Sequence, residues 1–446
     1  MRFGRTFLAA GVAILLLTAC SADDTADGPM TVIVDSDGAF DDIKAILYLL
    51  EQPDIEIIAL TFSGTGIAHC PAAAENTSAL LERIEAPQIP VACGRTTPLE
   101  GDNEAPPMWR NAADTLGGVD LPEPRPLHEA GATDLLTETL GSADEVVVVA
   151  LGPLTNIAEA VQDDPEVLDS VTMMYLMGGA VDAGGNALEN PDAEFNIWAD
   201  PLAAQIVFDT DVPITLVPLD ATNHVPVTPY LYDAVAAHRD YSETSRFTAD
   251  YLEVSPLLGG MYHWDELAAV VATDESVATL EERSLLVDTA GATIEDPSGR
   301  VTRVAVAADP EAFEAHFYSA IIGTPDPGIA RWTPDAVMTW DGSICSYDGP
   351  DPLPDDLWIR IDNNADEGLV AFVTGIYDAG TTVADFEASL AAGAPGAPDW
   401  WLERAVITAP AGARDVWPTK GGPAITALCY ADPTQVWEVA GPRLPN

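Results

Sequence analysis

The stretch Val34-Asp35-Ser36-Asp37-Gly38-Ala39-Phe40-Asp41-Asp42 decides how this chain is read. A buried-looking run, Thr31–Val34, opens directly into four carboxylates within eight residues. A helical stretch, Asp41–Leu50, starts among them. Asp41 and Asp42 gain from the positive end of that helix. Four anions so close still repel one another unless a cation sits among them. Helix capping needs one or two carboxylates, not four. Hard oxygen donors without a nearby His or Cys favour calcium or magnesium over zinc. A solvated acidic loop is the competing reading.

Outward from this point, short apolar runs alternate with helical stretches. Ile55–Thr61, Ile89–Ala92, Val146–Leu151, Val171–Met177 and Ile214–Val217 are nearly continuous in aliphatic residues, as strands covered on both faces are. Ala72–Ile84, Thr133–Leu140, Thr155–Val161 and Asp200–Phe208 have helical spacing, and Asp200-Pro201 is a strong helix start. This alternation predicts an α/β fold, an open and mostly parallel sheet flanked by helices. Ligands of such sheets bind beyond the carboxyl ends of the strands. The last unit ends at Asp309–Ile322, and residues 323–330 read as a linker. Beyond it, Ala336–Trp340, Leu357–Asp362, Leu369–Ile376, Glu403–Ile407 and Ala424–Cys429 are short runs between Gly, Pro and Asn turns. Residues 331–446 therefore read as a small all-β, sandwich-like domain of unknown role.

The acidic segment resembles the N-terminal signature of the inosine–uridine nucleoside hydrolase family, Asp-x-Asp-Pro-Gly-x-Asp-Asp. Further blocks come in the family's order: Gly152-Pro153-Leu154-Thr155-Asn156-Ile157-Ala158, Met177-Gly178-Gly179, Gly185-Asn186, Ala193-Glu194-Phe195-Asn196-Ile197, Leu219-Asp220-Ala221-Thr222 and Trp264-Asp265-Glu266-Leu267-Ala268. The resemblance covers about residues 31–322. It implies an N-ribohydrolase that cuts nucleosides to base and ribose. It also implies Ca²⁺ held by Asp37, Asp42, Asp265 and the Thr155 carbonyl. Asp41, Asn186, Glu194 and Asn196, with Met177, would hold the ribose. Asp37 would accept the proton of the attacking water, and Asp35 would buttress the loop from behind. Trp264 stands where many members have His. With Trp109 it resembles the purine-preferring branch, in which two indoles flank the base. Homodimers and homotetramers are common in the family.

Three departures bear on substrate choice. Pro-Gly of the first motif is Gly38-Ala39, the family's Gly-Asn after the second strand is Ser63-Gly64-Thr65-Gly66, and the Asn186–Glu194 spacing is longer. Two other readings remain open: a lipid-anchored protein that captures nucleosides without cutting them, and a hydrolase of another N-riboside.

Residues 1–19 read as a lipoprotein signal peptide. Arg2 and Arg5 precede an apolar run too short to span a bilayer, and Leu17-Thr18-Ala19-Cys20 resembles a lipobox. Cys20 would carry lipid, with residues 20–30 as tether. The expected location is exported, on the bacterial cell surface or in the periplasm, touching membrane only through that lipid. Four cysteines remain in an oxidising setting. Cys70 and Cys93 fall at the same edge of one βαβ unit, and Cys345 and Cys429 both lie in the β-rich part, so these are the expected disulfides. Across 446 residues the formal net charge is −54, with two lysines, Lys44 and Lys420. Such a surface repels nucleic acid polymers but not a small neutral nucleoside.

Overall fold

The computed structural model describes residues 28–255 and 260–350. Beyond these it describes 353–365, 369–377, 401–410, 414–422, 425–432 and 435–440, with residues 382, 384, 385 and 388. The signal segment, Cys20 and most of the tether lie outside the described residues.

The first large sheet contains β1 (Met30–Ser36), β2 (Ile55–Phe62), β3 (Val91–Cys93), β4 (Val146–Ala150), β5 (Val171–Met177), β6 (Ile214–Val217), β7 (Ala278–Val287), β8 (Thr293–Glu295) and β9 (Arg300–Ala308). Their order is β3-β2-β1-β4-β5-β6-β9-β7-β8. Pairs from β3 through β9 are parallel, and β7 joins β9 and β8 antiparallel. Along β1 the side chains alternate between two cores. Val32 and Val34 enter one cluster, Ile33 the other. Both faces are thus covered, which is why the strand reads as an unbroken apolar run.

Chain order reverses at β1. The strands β2 and β3 continue to one side, β4 and β5 to the other. In open α/β sheets the crevice at such a reversal, beyond the carboxyl ends, receives ligands. The Asp-rich turn leaves β1 there, and the Gly152–Thr155 turn leaves β4 there. The helix Phe40–Leu50 leaves the first turn with Asp42 to Leu49 buried and packs against the helix Trp264–Thr273. Strand β7 escaped the sequence reading because its Glu281-Glu282-Arg283 stretch is polar and largely exposed near the sheet edge. No helix among the described residues is long and apolar enough to cross a membrane.

The C-terminal part forms two four-stranded sheets. One orders β11 (Cys345–Asp348), β10 (Ala336–Trp340), β12 (Leu353–Asn363) and β15 (Arg414–Gly422); the other orders β14 (Trp401–Pro410), β13 (Leu369–Tyr377), β16 (Ile425–Asp432) and β17 (Gln435–Ala440). Ala336, Met338 and Trp340 from β10 and Leu357, Ile359 and Ile361 from β12 alternate into one core, joined by Cys429 of the second sheet.

Cys70–Cys93 and Cys345–Cys429 are disulfide-bonded, with Cα atoms 5.6 and 6.4 Å apart. The first ties the helix after β2 to the end of β3; the second crosses from one C-terminal sheet to the other. Replacing the second by Cys345→Ser should lower the stability of the β-rich part by about 2–4 kcal/mol, because the bond closes a long loop. Denaturant titration of the variant reads this as a lower midpoint, and an unchanged midpoint contradicts it.

Candidate functional site

The turn after β1 is built to hold carboxylates in place. Gly38 has φ +72°, a conformation open to glycine, and a β-carbon there would lie 2.4 Å from the Ala73 β-carbon. This turn brings the amides of Asp37 and Ala39 onto Asp42, at 3.0 Å each. The Ser36 hydroxyl adds a third donor to Asp42 at 2.5 Å. Asp37 accepts from Ala39 N at 3.2 Å and Ile67 N at 2.9 Å. Gly66 is the residue that lets Ile67 approach, since a β-carbon on it would fall 2.1 Å from Asp37 Oδ2. The Ser63–Gly66 departure from the family motif therefore still serves Asp37. It also starts a hydroxyl chain: Ser63 to Thr65 at 2.5 Å, Thr65 to Thr155 at 2.8 Å, and Thr155 donating to Asp200 at 2.9 Å.

Carboxylate oxygens of Asp41, Asp42 and Asp265 lie within 4.8 Å of one another. Two helices meet to do this: Asp41 and Asp42 open one, Asp265 opens the other. Asp37 stands beside the trio. Burial first, then the charge of Asp42, holds Asp37 well above the usual carboxylate range. Asp265 is raised by burial, then by Asp41 and Asp42. Asp41 is pushed up to about 8, by burial and then by Asp42. Anions that raise one another in this way form a site suited to a hard divalent cation. The oxygen donors fit such an ion. Thr155 begins the helix after β4 with its hydroxyl already engaged.

Asp35 sits behind the turn. It accepts from Thr61 at 2.6 Å and Asn156 at 2.7 Å, and burial lifts it to about 7. Gly94 leaves space for the Asn156 amide, which a β-carbon would meet at 1.9 Å. Lys44, 4% exposed, is ion-paired with Glu266 between the two site helices, and His263 bonds Glu266 at 3.0 Å. Burial acts to lower the Lys44 pKa, but Glu266 and Asp41 outweigh it and hold the ammonium charged. The sequence reading passed over this pair, although Glu266 lies in a quoted block and Lys44 is two residues from Asp42.

On the other wall, Glu194 caps the helix Phe195–Ala199. It accepts from Asn196 N, Ile197 N and Gly179 N at 2.8, 3.1 and 3.0 Å. Burial lifts it to about 7 despite those bonds. The Asn196 amide donates to the carbonyls of Leu151 at 2.8 Å and Met177 at 3.3 Å. Asn186 is exposed and docks its oxygen on Phe195 N at 2.8 Å, so the longer loop folds back to Glu194. Asp220 anchors the start of that loop through the amides of Val181, Asp182 and Ala183. Trp109 packs on Phe195 at 6.3 Å between centroids, and Trp264 on Tyr262 at 5.7 Å. Both indoles are half-buried, one beside the Glu194 wall and one directly before Asp265.

Known proteins resemble this chain in sequence and fold. A family model described as inosine-uridine preferring nucleoside hydrolase matches residues 32–315. "Probable uridine nucleosidase 2" of Oryza sativa subsp. japonica is 36% identical over 199 residues, 44% of this chain and 58% of its own length. "Pyrimidine-specific ribonucleoside hydrolase RihA" of Salmonella enteritidis is 34% identical over 205 residues, 44% of this chain and 63% of its own. The chain thus spans about three fifths of these two relatives. Among solved structures, a purine-preferring ribonucleoside hydrolase from Gardnerella vaginalis superposes with TM-score 0.58 at 30% identity, covering 66% of this chain and 99% of that one.

The raised carboxylates give a signed pH dependence. Asp35 and Glu194 near 7 and Asp41 near 8 bind protons in the folded, metal-free protein that the unfolded chain releases at about pH 4. Their contribution to stability is complete below that pH and is lost as pH rises to about 8. The thermal midpoint of metal-free protein should fall across this window, and Glu194→Gln, which cannot ionise, should make the fall shallower. An identical slope in the variant would count against the assignment of Glu194.

Proposed function

The chain belongs to the inosine-uridine preferring nucleoside hydrolase family, and from that premise we propose that it hydrolyses the N-glycosidic bond of ribonucleosides to free base and ribose, with Ca²⁺ as cofactor. The observation that carries this reading is the convergence of Asp41, Asp42 and Asp265 at the strand-order reversal, with an amide-held Asp37 beside them. A protein that only captures nucleosides has no need of a poised base there.

Asp37, Asp42, Asp265 and the Thr155 carbonyl are the proposed ion ligands, with Asp41 shared between the ion and the ribose. A divalent cation bound there supplies positive charge that makes a water easier to deprotonate. Asp37, its carboxylate fixed by two backbone amides, accepts the proton. Asn196 has its amide nitrogen committed to Leu151 and Met177, which leaves its oxygen to accept from a ribose hydroxyl. Glu194 and Asn186 complete that wall. As the bond breaks, positive charge grows on the ribose, and the surrounding carboxylates and amide oxygens stabilise it. Direct attack by water gives inversion at the anomeric carbon.

For the base we propose purines, held between Trp264 and Trp109, because indole faces stack on a purine and favour its protonated form. Curated relatives are named for uridine and pyrimidine substrates, which favours pyrimidine ribosides as the second reading. A nucleoside panel read as free base separates the two. We place the protein beyond the cytoplasm, on the bacterial cell surface or in the periplasm, tethered through lipid on Cys20, acting on a small nucleoside with no nucleic acid polymer as partner, as a homodimer or homotetramer.

Asp37→Asn should leave the fold intact and cost about 10²–10⁴ in turnover, the usual contribution of a positioned base. Comparable inosine and uridine hydrolysis by the variant would sink the mechanism. Chelation should abolish activity and calcium restore it; activity indifferent to verified metal loss rules the cofactor out. Trp264→Ala should slow release of natural purines far more than release of p-nitrophenol from its riboside, since a good leaving group needs no stacking. Equal losses on both would reduce Trp264 to a wall of the pocket.

A further inference from the structure

The family match ends at residue 315, and the C-terminal sheets lie beyond it. Their contact with the rest of the protein falls on a sensitive place. Gly260 has φ +75°, and a β-carbon on it would lie 2.5 Å from Trp417 Cζ2 and 3.2 Å from two further ring atoms. The Trp417 indole of β15 is therefore pressed against bare backbone, at a distance that excludes any side chain. The same ring packs into the core of the β-rich part, so it joins that core to Gly260. The neighbouring Val416 carbonyl accepts from Gly260 N at 3.4 Å.

From Gly260 the chain runs through Met261, Tyr262, His263 and Trp264 to Asp265. The opposite side of this segment is held by the catalytic part. Val227 N donates to the Met261 carbonyl at 2.8 Å, Tyr262 bridges to Pro226, and His263 N donates to Val225 O at 3.0 Å. The Tyr262 ring in turn supports Trp264 at 5.7 Å. A cavity of about 160 Å³ remains beside this contact, bounded by Val225, His263, Arg360 and Val416. It is room into which the segment could shift if one wall were withdrawn.

We propose that the β-rich part belongs to the hydrolytic machinery, with Trp417 as a positioning residue that clamps Gly260 and thereby fixes the approach of Trp264 and Asp265. Trp417 touches neither substrate nor ion; it acts through the segment it holds. This rests on the nucleoside hydrolase reading, so the test keeps the two apart.

Full-length protein and the variants Trp417→Ala and Trp417→Phe are freed of metal. Calcium is titrated in by calorimetry, and amide hydrogen exchange is followed on peptides spanning residues 261–267 and 30–50. Trp417→Ala should raise the calcium dissociation constant about tenfold, the loss typical when the support behind a ligand is removed. Exchange should quicken in 261–267 and stay as in wild type in 30–50. Trp417→Phe, which loses the ring atoms nearest Gly260 but keeps an aromatic core residue, should show a smaller change in the same direction; it carries the test if the alanine variant does not fold. Wild-type protein that binds no calcium would refute the metal reading, while the exchange comparison would still test the clamp. A folded variant with wild-type exchange across 261–267 overturns the proposal, and so does faster exchange there with calcium affinity unchanged.

Discussion

Mutual repulsion among Asp37, Asp41, Asp42 and Asp265 is the constraint around which this protein is built. Each is largely shut away from water, and the charge of Asp42 makes Asp37, Asp41 and Asp265 harder to ionise. The fold answers with directed dipoles: two amides and a hydroxyl on Asp42, two amides on Asp37, and helix starts under Asp41 and Asp265. Those donors can reach their targets only where side chains are missing. Gly66 and Gly152 stand against Asp37 at distances no β-carbon tolerates. The sheet supplies the rest, because the reversal of strand order at β1 opens the crevice in which four such groups can meet.

Charge placement on the layer behind the cluster obeys the same constraint. Lys44 and Glu266 link the two helices that carry the trio, and the pair adds no net charge to an already anionic pocket. Glu266 takes the direct ion pair, and of the cluster Lys44 acts on Asp41, whose carboxyl it pulls downward against burial and Asp42. A buried pair of this kind is costly to break from one side, since the remaining charge is left without a partner.

Much of this was legible in the residues. Unbroken aliphatic runs announced β1, β2, β4, β5 and β6, because strands buried on both faces have no polar side to show. The clustering of Asp35, Asp37, Asp41 and Asp42 announced a buried acidic site at the end of β1, and the strand positions of the cysteines announced both bridges. The features that stayed hidden have a common cause. Strand β7 and the pairs Lys44–Glu266 and Ser63–Thr65 depend on contacts between distant or polar positions that leave no periodic trace. Gly66 looked like a departure from a motif, yet its value lies in the space it leaves. The helices Pro229–Ala237 and Glu243–Val254 were missed because the first is apolar almost all round and the second carries Ser, Thr and Tyr on its buried side. The role of β15 could not be read either, since nothing in its sequence says which loop it faces.

The turn at Gly38-Ala39 also orders the routes by which this sequence could drift toward or away from the Pro-Gly form. Proline holds φ near −65° and cannot take the +72° found at Gly38. A lone Gly38→Pro therefore breaks the turn and scatters the amides that hold Asp37 and Asp42. Ala39, at φ −70°, accepts glycine without strain, and its N–H, needed by both carboxylates, survives the exchange. One order of events is passable and the reverse is not: position 39 must loosen before position 38 stiffens.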